Sequence, residues 1–138
     1  MTQASSSFRF APSILTRLGE ELVPNLDQAI IELIRNAYDA DASLCTVELK
    51  DVKQPGGTIE LSDDGIGMRA DDIKNGWLVL GGSSKESSKL TPIRGRRTVG
   101  DKGLGRLAAL RAGAKALMIT RHMGESEAYA VEVDWKNF

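Results

Sequence analysis

The chain is poor in the residues that build disulfides and metal centres. Cys45 is its only cysteine, which excludes an internal disulfide and a multi-cysteine metal site. It stands between Leu44 and Thr46-Val47, where a small core residue is expected. His122 is the only histidine, so a histidine-rich metal centre is excluded, and a surface position is expected for it. Charge of neither sign prevails. The formal net charge is -1 over 138 residues, which points to neither a nucleic-acid nor a membrane partner. No apolar run is long enough to cross a bilayer. The N-terminus lacks the basic region and apolar core of a secretory signal, so the expected compartment is cytoplasmic. The sequence has no internal repeats.

What is present is ordinary for a folded domain. The chain is 41% apolar and 27% charged, and long enough for one real core. Residues 1–7 are small and polar and read as a flexible tail ahead of one domain over 8–138. Residues 8–11 read as a short strand or an arm. After Pro12, Ile14, Leu15, Leu18 and Leu22 recur at roughly helical spacing until Pro24-Asn25 breaks the pattern. Asn25 can cap the next helix, expected over 26–40. Strands are expected at 45–52 and 58–62, with Cys45, Val47 and Leu49 on one face and Ile59 and Leu61 inward. Gln54-Pro55-Gly56-Gly57 is the turn between them. A helix over 70–80 would turn Ile73 and either Trp77 or Leu78 inward. Residues 81–97 show no sustained period and read as a long loop. A helix at 106–112 follows, then a strand at 116–120 with Leu117 and Ile119 on one face. Residues 127–133 are its hairpin partner around Gly124. This order predicts an α+β sandwich with helices on one face of a sheet.

Three stretches carry chemistry. In Glu32-Leu33-Ile34-Arg35-Asn36-Ala37-Tyr38-Asp39-Ala40, the apolar residues Ile30, Leu33, Ile34 and Ala37 mark one helical face. Glu32, Asn36 and Asp39 stack on another, which by itself also reads as solvated surface. Asp63-x-Gly65-x-Gly67 follows a strand. Its carboxylate can accept a ligand N–H while the glycines admit close backbone approach, though a plain Asp-Gly turn looks the same. Gly100-x-x-Gly103-x-Gly105 opens a helix and suits either a phosphate cradle or a helix-capping loop. Its glycine order is wrong for the dinucleotide fingerprint, and Lys102 does not end a P-loop. The loop before it carries Lys85, Lys89, Arg94, Arg96 and Arg97 against Glu86. These cations read as a solvated loop, a phosphate-facing lid or a nucleic-acid contact.

In this order and spacing the three stretches resemble the GHKL ATPases (gyrase, heat-shock chaperone, histidine kinase, MutL), over about residues 25–120. Glu32-x-x-x-Asn36-Ala37-x-Asp39-Ala40 matches the N-box of that family, Asp63-x-Gly65-Ile66-Gly67-Met68 its adenine-site box, and Gly100-x-x-Gly103-x-Gly105 its glycine-rich box. Ser83-Ser84-Lys85 resembles a lid segment of MutL-type members. The chain looks closer to the MutL, chaperone, gyrase and MORC branches than to the histidine kinases.

The resemblance implies a Bergerat-type fold, a mixed sheet with helices on one face, with residues 81–100 as the ATP lid. It implies Glu32 as the general base that activates water, and Asn36 as the magnesium ligand through its side-chain oxygen. Asp39 would support the nucleotide pocket. Asp63 would accept the adenine amino group, with Asp64 on the variable position, and Gly65, Gly67 and Met68 would line the base pocket. Gly103, Leu104 and Gly105 would meet the phosphates through backbone N–H groups, with Lys85 and Lys102 as further contacts. The ligands implied are ATP and Mg. Dimerisation on ATP binding is a property of several members and is the partner expected here.

One departure stands out. Members continue to a further strand of Gly-Thr-x-Ile/Val type whose threonine touches the adenine site, whereas Asp134-Trp135-Lys136-Asn137-Phe138 lacks it. The expectation is a fold short of its last strand or strands, in the N-terminal piece of a longer protein whose downstream domains are missing. The leading expectation is an ATP-hydrolysing module that switches conformation. The alternatives are a nucleotide-binding module without turnover and a nucleic-acid-binding domain acting through the basic loop.

Overall fold

A computed structural model of the chain describes residues 25–79, 90–100 and 112–134, together with 11, 13, 14, 17 and 21. Upstream, Ser13, Ile14, Arg17 and Glu21 are helical, as the spacing predicts. The expected elements at 8–10, 81–89 and 106–111 lie outside the described residues.

Helix α1 spans Leu26–Asp39. Its start is fixed by Asn25, whose side-chain oxygen accepts the Gln28 N–H at 3.0 Å, satisfying one of the donors a helix start leaves unpaired. Asp27 in the first turn complements the helix dipole. The buried stripe differs from the expected one. Ala29 and Ala37 are its fully buried members, Ile30 and Leu33 are half-buried, and Ile34 is exposed. The stripe leans towards Glu32, which is only 7% exposed. The helix ends in a Schellman arrangement: Ala42 N–H donates to Ala37 O and Asp41 N–H to Tyr38 O, both at 3.1 Å. Asp41, at φ 60°, holds the left-handed position that usually falls to glycine.

Strands β1 (Cys45–Lys50) and β2 (Thr58–Asp63) form an antiparallel ribbon with Val47 opposite Leu61 and Leu49 opposite Ile59. Opposed residues share a face. Asp63, opposite Cys45, therefore stands on the same side as Val47, Leu61 and Ile59, the half-buried side of the ribbon. Cys45 is half-buried, and burial together with the Asp63 carboxylate pushes its thiol pKa up, which suits an inert packing role.

The expected helix after Met68 is cut short. Ala70–Asp72 is α-helical and Ile73–Trp77 widens into a π-turn, with Leu78 N–H on Ile73 O at 2.8 Å. Asn75-Gly76 is a weak helix-forming pair at that point. Ile73 is buried and Trp77 half-buried, while Leu78 faces out.

Strands β3 (Lys115–Thr120) and β4 (Tyr129–Asp134) form a second antiparallel ribbon. Leu117 and Ile119 share a face as expected, and it is the outer one, 64% and 68% exposed. Met118, Thr120, Tyr129 and Val131 turn to the half-buried side. The fold is α+β. Among the described residues the strands pair only within these two ribbons, each antiparallel. No helix among the described residues is long and apolar enough to cross a membrane.

Candidate functional site

The site is assembled at the C-terminal end of α1, where the first two boxes and the start of the third converge. On the helix itself, the buried Glu32 bonds Arg35 Nη1 through Oε1, and its Oε2 has no hydrogen-bond partner among the described residues. A buried carboxylate oxygen without a donor is costly unless something else meets it. One turn on, Asn36 is exposed and its side-chain amide makes no hydrogen bond among the described residues. Asp39 is fully used: Val99 N–H donates to Oδ1 at 2.9 Å and Gly100 N–H to Oδ2 at 2.8 Å. These bonds set Gly100 against the helix. A Cβ on Gly100 would stand 2.7 Å from Asp39 Oδ2 and 3.6 Å from Asn36 Oδ1, so a larger residue there would push on the Asp39 carboxylate that holds this backbone.

The second box is a bridge between α1 and the turn of the β3–β4 ribbon. Ile66 N–H donates to Ala40 O at 2.8 Å, and Ile66 O accepts Met123 N–H at 2.7 Å. Gly65 packs on Ala40, where a Cβ would lie 2.8 Å from the Ala40 Cβ. Gly67 has φ +67°, and a Cβ there would lie 2.0 Å from Arg121 O. Met68 N–H donates to Thr120 Oγ1 at 3.0 Å, and Arg69 Nε pairs with Glu125 at 3.1 Å. The two aspartates separate cleanly. Asp63 Oδ1 accepts Gly65 N–H at 2.8 Å, and its other oxygen has no partner among the described residues. Asp64 is consumed by structure: it accepts Ser43 N–H at 2.7 Å, Leu44 N–H at 2.8 Å and the Ser43 hydroxyl. The Ser43 hydroxyl and Leu44 amide bonds outweigh desolvation and hold its pKa down at about 2.

Residues 90–97, part of the expected formless loop, are a docked turn. Leu90 and Arg97 form an antiparallel bridge, Thr91 N–H donates to Arg96 O at 2.7 Å, and Gly95 takes φ +62°. The turn sits on Asp41, whose carboxylate accepts the Thr91 hydroxyl, Ile93 N–H at 2.8 Å and Arg94 N–H at 3.2 Å. Burial raises the Asp41 pKa, but these bonds and the charge of Arg96 outweigh it, and the net shift is downward. Arg94 Nε donates to Asp41 O at 3.0 Å. Arg96 lies over the Tyr38 ring at 4.6 Å and donates to Ala42 O at 2.7 Å and Tyr38 O at 3.2 Å. It thus brings to the negative end of α1 the cation its own last turn lacks.

The structure brings Asn36, Asp39 and Gly100 together, and sets Gly65 against the end of the same helix. Lys85, Lys102, Gly103, Leu104 and Gly105 lie outside the described residues. A cleft of about 620 Å3 runs between Asp63, Asp64 and Gly65 and the β3–β4 turn, including the half-buried His122. This cleft does not reach Glu32, Asn36 or Gly100. Among the described residues no cluster of three or more His, Cys, Asp or Glu could hold a metal. The Asn36 side-chain oxygen is a hard donor that could serve as a single ligand to an ion that keeps most of its waters.

Asp41, Asp64, Thr91 and Thr120 are the organising residues that motif reading passes over. Their partners stand 20 to 53 residues away, except for those local to the turn, and leave no periodic trace. The only signal was Asp41 itself, an aspartate directly after a helix end, where left-handed backbone is common.

Comparison with known proteins gives the family. A profile of the family described as histidine kinase-, DNA gyrase B-, and HSP90-like ATPase matches residues 24–137. The chain is 32% identical over 108 residues to the putative type II restriction enzyme HgiDII of Herpetosiphon aurantiacus, covering 78% of this chain and 17% of that protein. It is 29% identical over 118 residues to the DNA mismatch repair protein MutL of Clostridium tetani, covering 86% and 18%. It is 32% identical over 119 residues to the chaperone protein HtpG of Mycolicibacterium vanbaalenii, covering 78% and 18%. The chain thus spans less than a fifth of the length of these relatives. With most of its length matched by that profile, this chain belongs to the histidine kinase-, DNA gyrase B- and HSP90-like ATPase family.

Proposed function

We propose that the chain is a magnesium-dependent ATP-binding and ATP-hydrolysing module of Bergerat type, coupled to a conformational or dimerisation switch. The observation that carries this reading is Glu32: a buried carboxylate with one oxygen that has no partner among the described residues, at the general-base position of the family and on the same helix as Asn36 and Asp39. The relatives bear the names of a restriction enzyme, a repair protein and a chaperone. What they share with this chain is a small part of each, so the activity common to them is assigned to that part. Their separate tasks are assigned elsewhere in their chains.

In this reading Asp63 accepts the adenine amino group on the oxygen that has no partner among the described residues, and Gly65, Gly67 and Met68 form the wall behind the base. Asn36 holds the magnesium ion, which when bound neutralises phosphate charge. Asp39 fixes Gly100 at the phosphate end of the site, and residues 81–100 form the lid. Glu32 orients a water for in-line attack on the γ-phosphorus and takes its proton, while the bond to the β-phosphate oxygen breaks and ADP leaves. Lys85, Lys102, Gly103, Leu104 and Gly105 are the further phosphate contacts of the proposal. The basic-loop reading loses support, because the Arg94 and Arg96 side chains are committed to carbonyls at the end of α1.

The test is Glu32→Ala. It should bind a non-hydrolysable ATP analogue as the wild type does and hydrolyse ATP about a hundredfold more slowly or worse. Turnover at the wild-type rate would remove Glu32 from the base role. A wild type that binds ATP without hydrolysing it would favour the binding-module alternative.

A further inference from the structure

Asp41 has a side chain that its own helix does not need. Its backbone completes the end of α1 at φ 60°, a place glycine fills with less strain. The carboxylate instead works across the fold. It is 5% exposed and accepts the Thr91 hydroxyl and the amides of Ile93 and Arg94, while Asp41 O takes Arg94 Nε. Thr91 Oγ1 in turn accepts Arg96 N–H at 2.9 Å, so the inside of the turn is built around this one contact. The Leu90–Arg97 bridge closes the turn into a unit. Only Thr98 then separates Arg97 from Val99, whose amide, with that of Gly100, lands on Asp39 beside Asn36. So short a link, at about 3.5 Å of reach per residue, cannot let the turn shift without moving Gly100.

We propose that Asp41 is a positioning residue for the nucleotide site: by docking the 90–97 turn on the end of α1, it sets where Gly100 stands relative to Asp39 and Asn36. The proposal rests on the ATP reading above and adds to it a residue outside the three boxes. It acts through Gly100 and touches no substrate itself.

The experiment compares wild type with Asp41→Gly, Asp41→Asn and Thr91→Val in the whole chain. The readouts are kcat and KM for Mg-ATP, thermal melting, and amide exchange over residues 93–100. Glycine preserves the helix end and deletes only the carboxylate. Asparagine keeps one acceptor oxygen and tolerates the same backbone. Asp41→Gly should keep its helix content and melt below wild type while staying folded, since three donors lose their acceptor. Its amides at Ile93, Arg94, Val99 and Gly100 should lose protection, and KM should rise about tenfold or more. Asp41→Asn should fall between, Thr91→Val should move the same way, and the double variant should be no worse than Asp41→Gly. Wild-type KM and wild-type protection at Val99 and Gly100 in Asp41→Gly would overturn the proposal. Should that variant unfold, unchanged KM in both Asp41→Asn and Thr91→Val would overturn it equally. A folded wild type with no ATP binding or turnover would sink the ATP reading and this role with it. An active wild type with unaffected variants would sink this role alone.

Discussion

At the scale of single residues, neighbours of similar type are divided between chemistry and structure by what their oxygens already hold. Asp64 has its carboxylate filled by Ser43 and Leu44, whereas Asp63 keeps an oxygen without a partner among the described residues. On α1, Asp39 is filled by Val99 and Gly100, while the Asn36 side chain has no hydrogen-bond partner among the described residues. Gly67 shows how tightly the second box is threaded. Gly67→Ala would put a methyl carbon 2.0 Å from Arg121 O on backbone at φ +67°. We expect a loss of about 3 kcal/mol or more in urea unfolding. A loss under about 1 kcal/mol would mean that the box and the β3–β4 turn separate more readily than their bonds imply.

At the scale of elements, α1 is the scaffold, because both of its ends and its polar face are in use. Asn25→Ala removes the side-chain acceptor for Gln28 N–H and should cost about 1 kcal/mol in denaturant unfolding, with increased exchange confined to the first turn. Much of this level was legible in the sequence. α1 was expected over 26–40 and spans Leu26–Asp39, because Pro24-Asn25 opens it and the helical period runs to its end. The two ribbons followed from alternation and from the Gly56-Gly57 and Gly124 turns. What escaped is what has no period. The Asp41 clamp joins residues 50 to 53 apart, and the 90–97 turn is ordered by that clamp and the paired arginines rather than by any pattern of its own. The π-turn at Ile73–Trp77 also escaped, since a widened turn carries the same apolar spacing at Ile73 and Trp77 as an α-helix. Within the candidate site, the boxes named the candidate residues. The second box already set Asp63 apart from Asp64; what Asp64 bonds, and that Glu32 is buried, came only from packing.

At the scale of the whole molecule, the end of α1 is a junction. The second box ties it to the β3–β4 turn, Asp64 ties the start of β1 to the end of β2, and Asp41 and Asp39 tie it to residues 91–100. Two of these ties are carboxylates with lowered pKa values, which makes the junction acid-sensitive. A group with a folded-state pKa below its unfolded value stabilises the fold above the unfolded value and loses that contribution as pH falls through the folded one. For Asp64 the window runs from its ordinary 3.8 down to about 2. Thermal stability of the wild type should therefore drop as pH falls across that window. Asp64→Asn should be less stable at neutral pH and should show a shallower drop. An Asp64→Asn profile parallel to wild type would remove Asp64 from the acid response.

The most direct test of the central claim is calorimetric titration of the chain with a non-hydrolysable ATP analogue and magnesium, beside Asp63→Asn. Saturable binding by the wild type, weakened about tenfold or more in a variant with unchanged circular dichroism, is the predicted result. Equal binding by both would contradict the adenine site at Asp63, and no binding by a folded wild type would contradict the ATP reading itself.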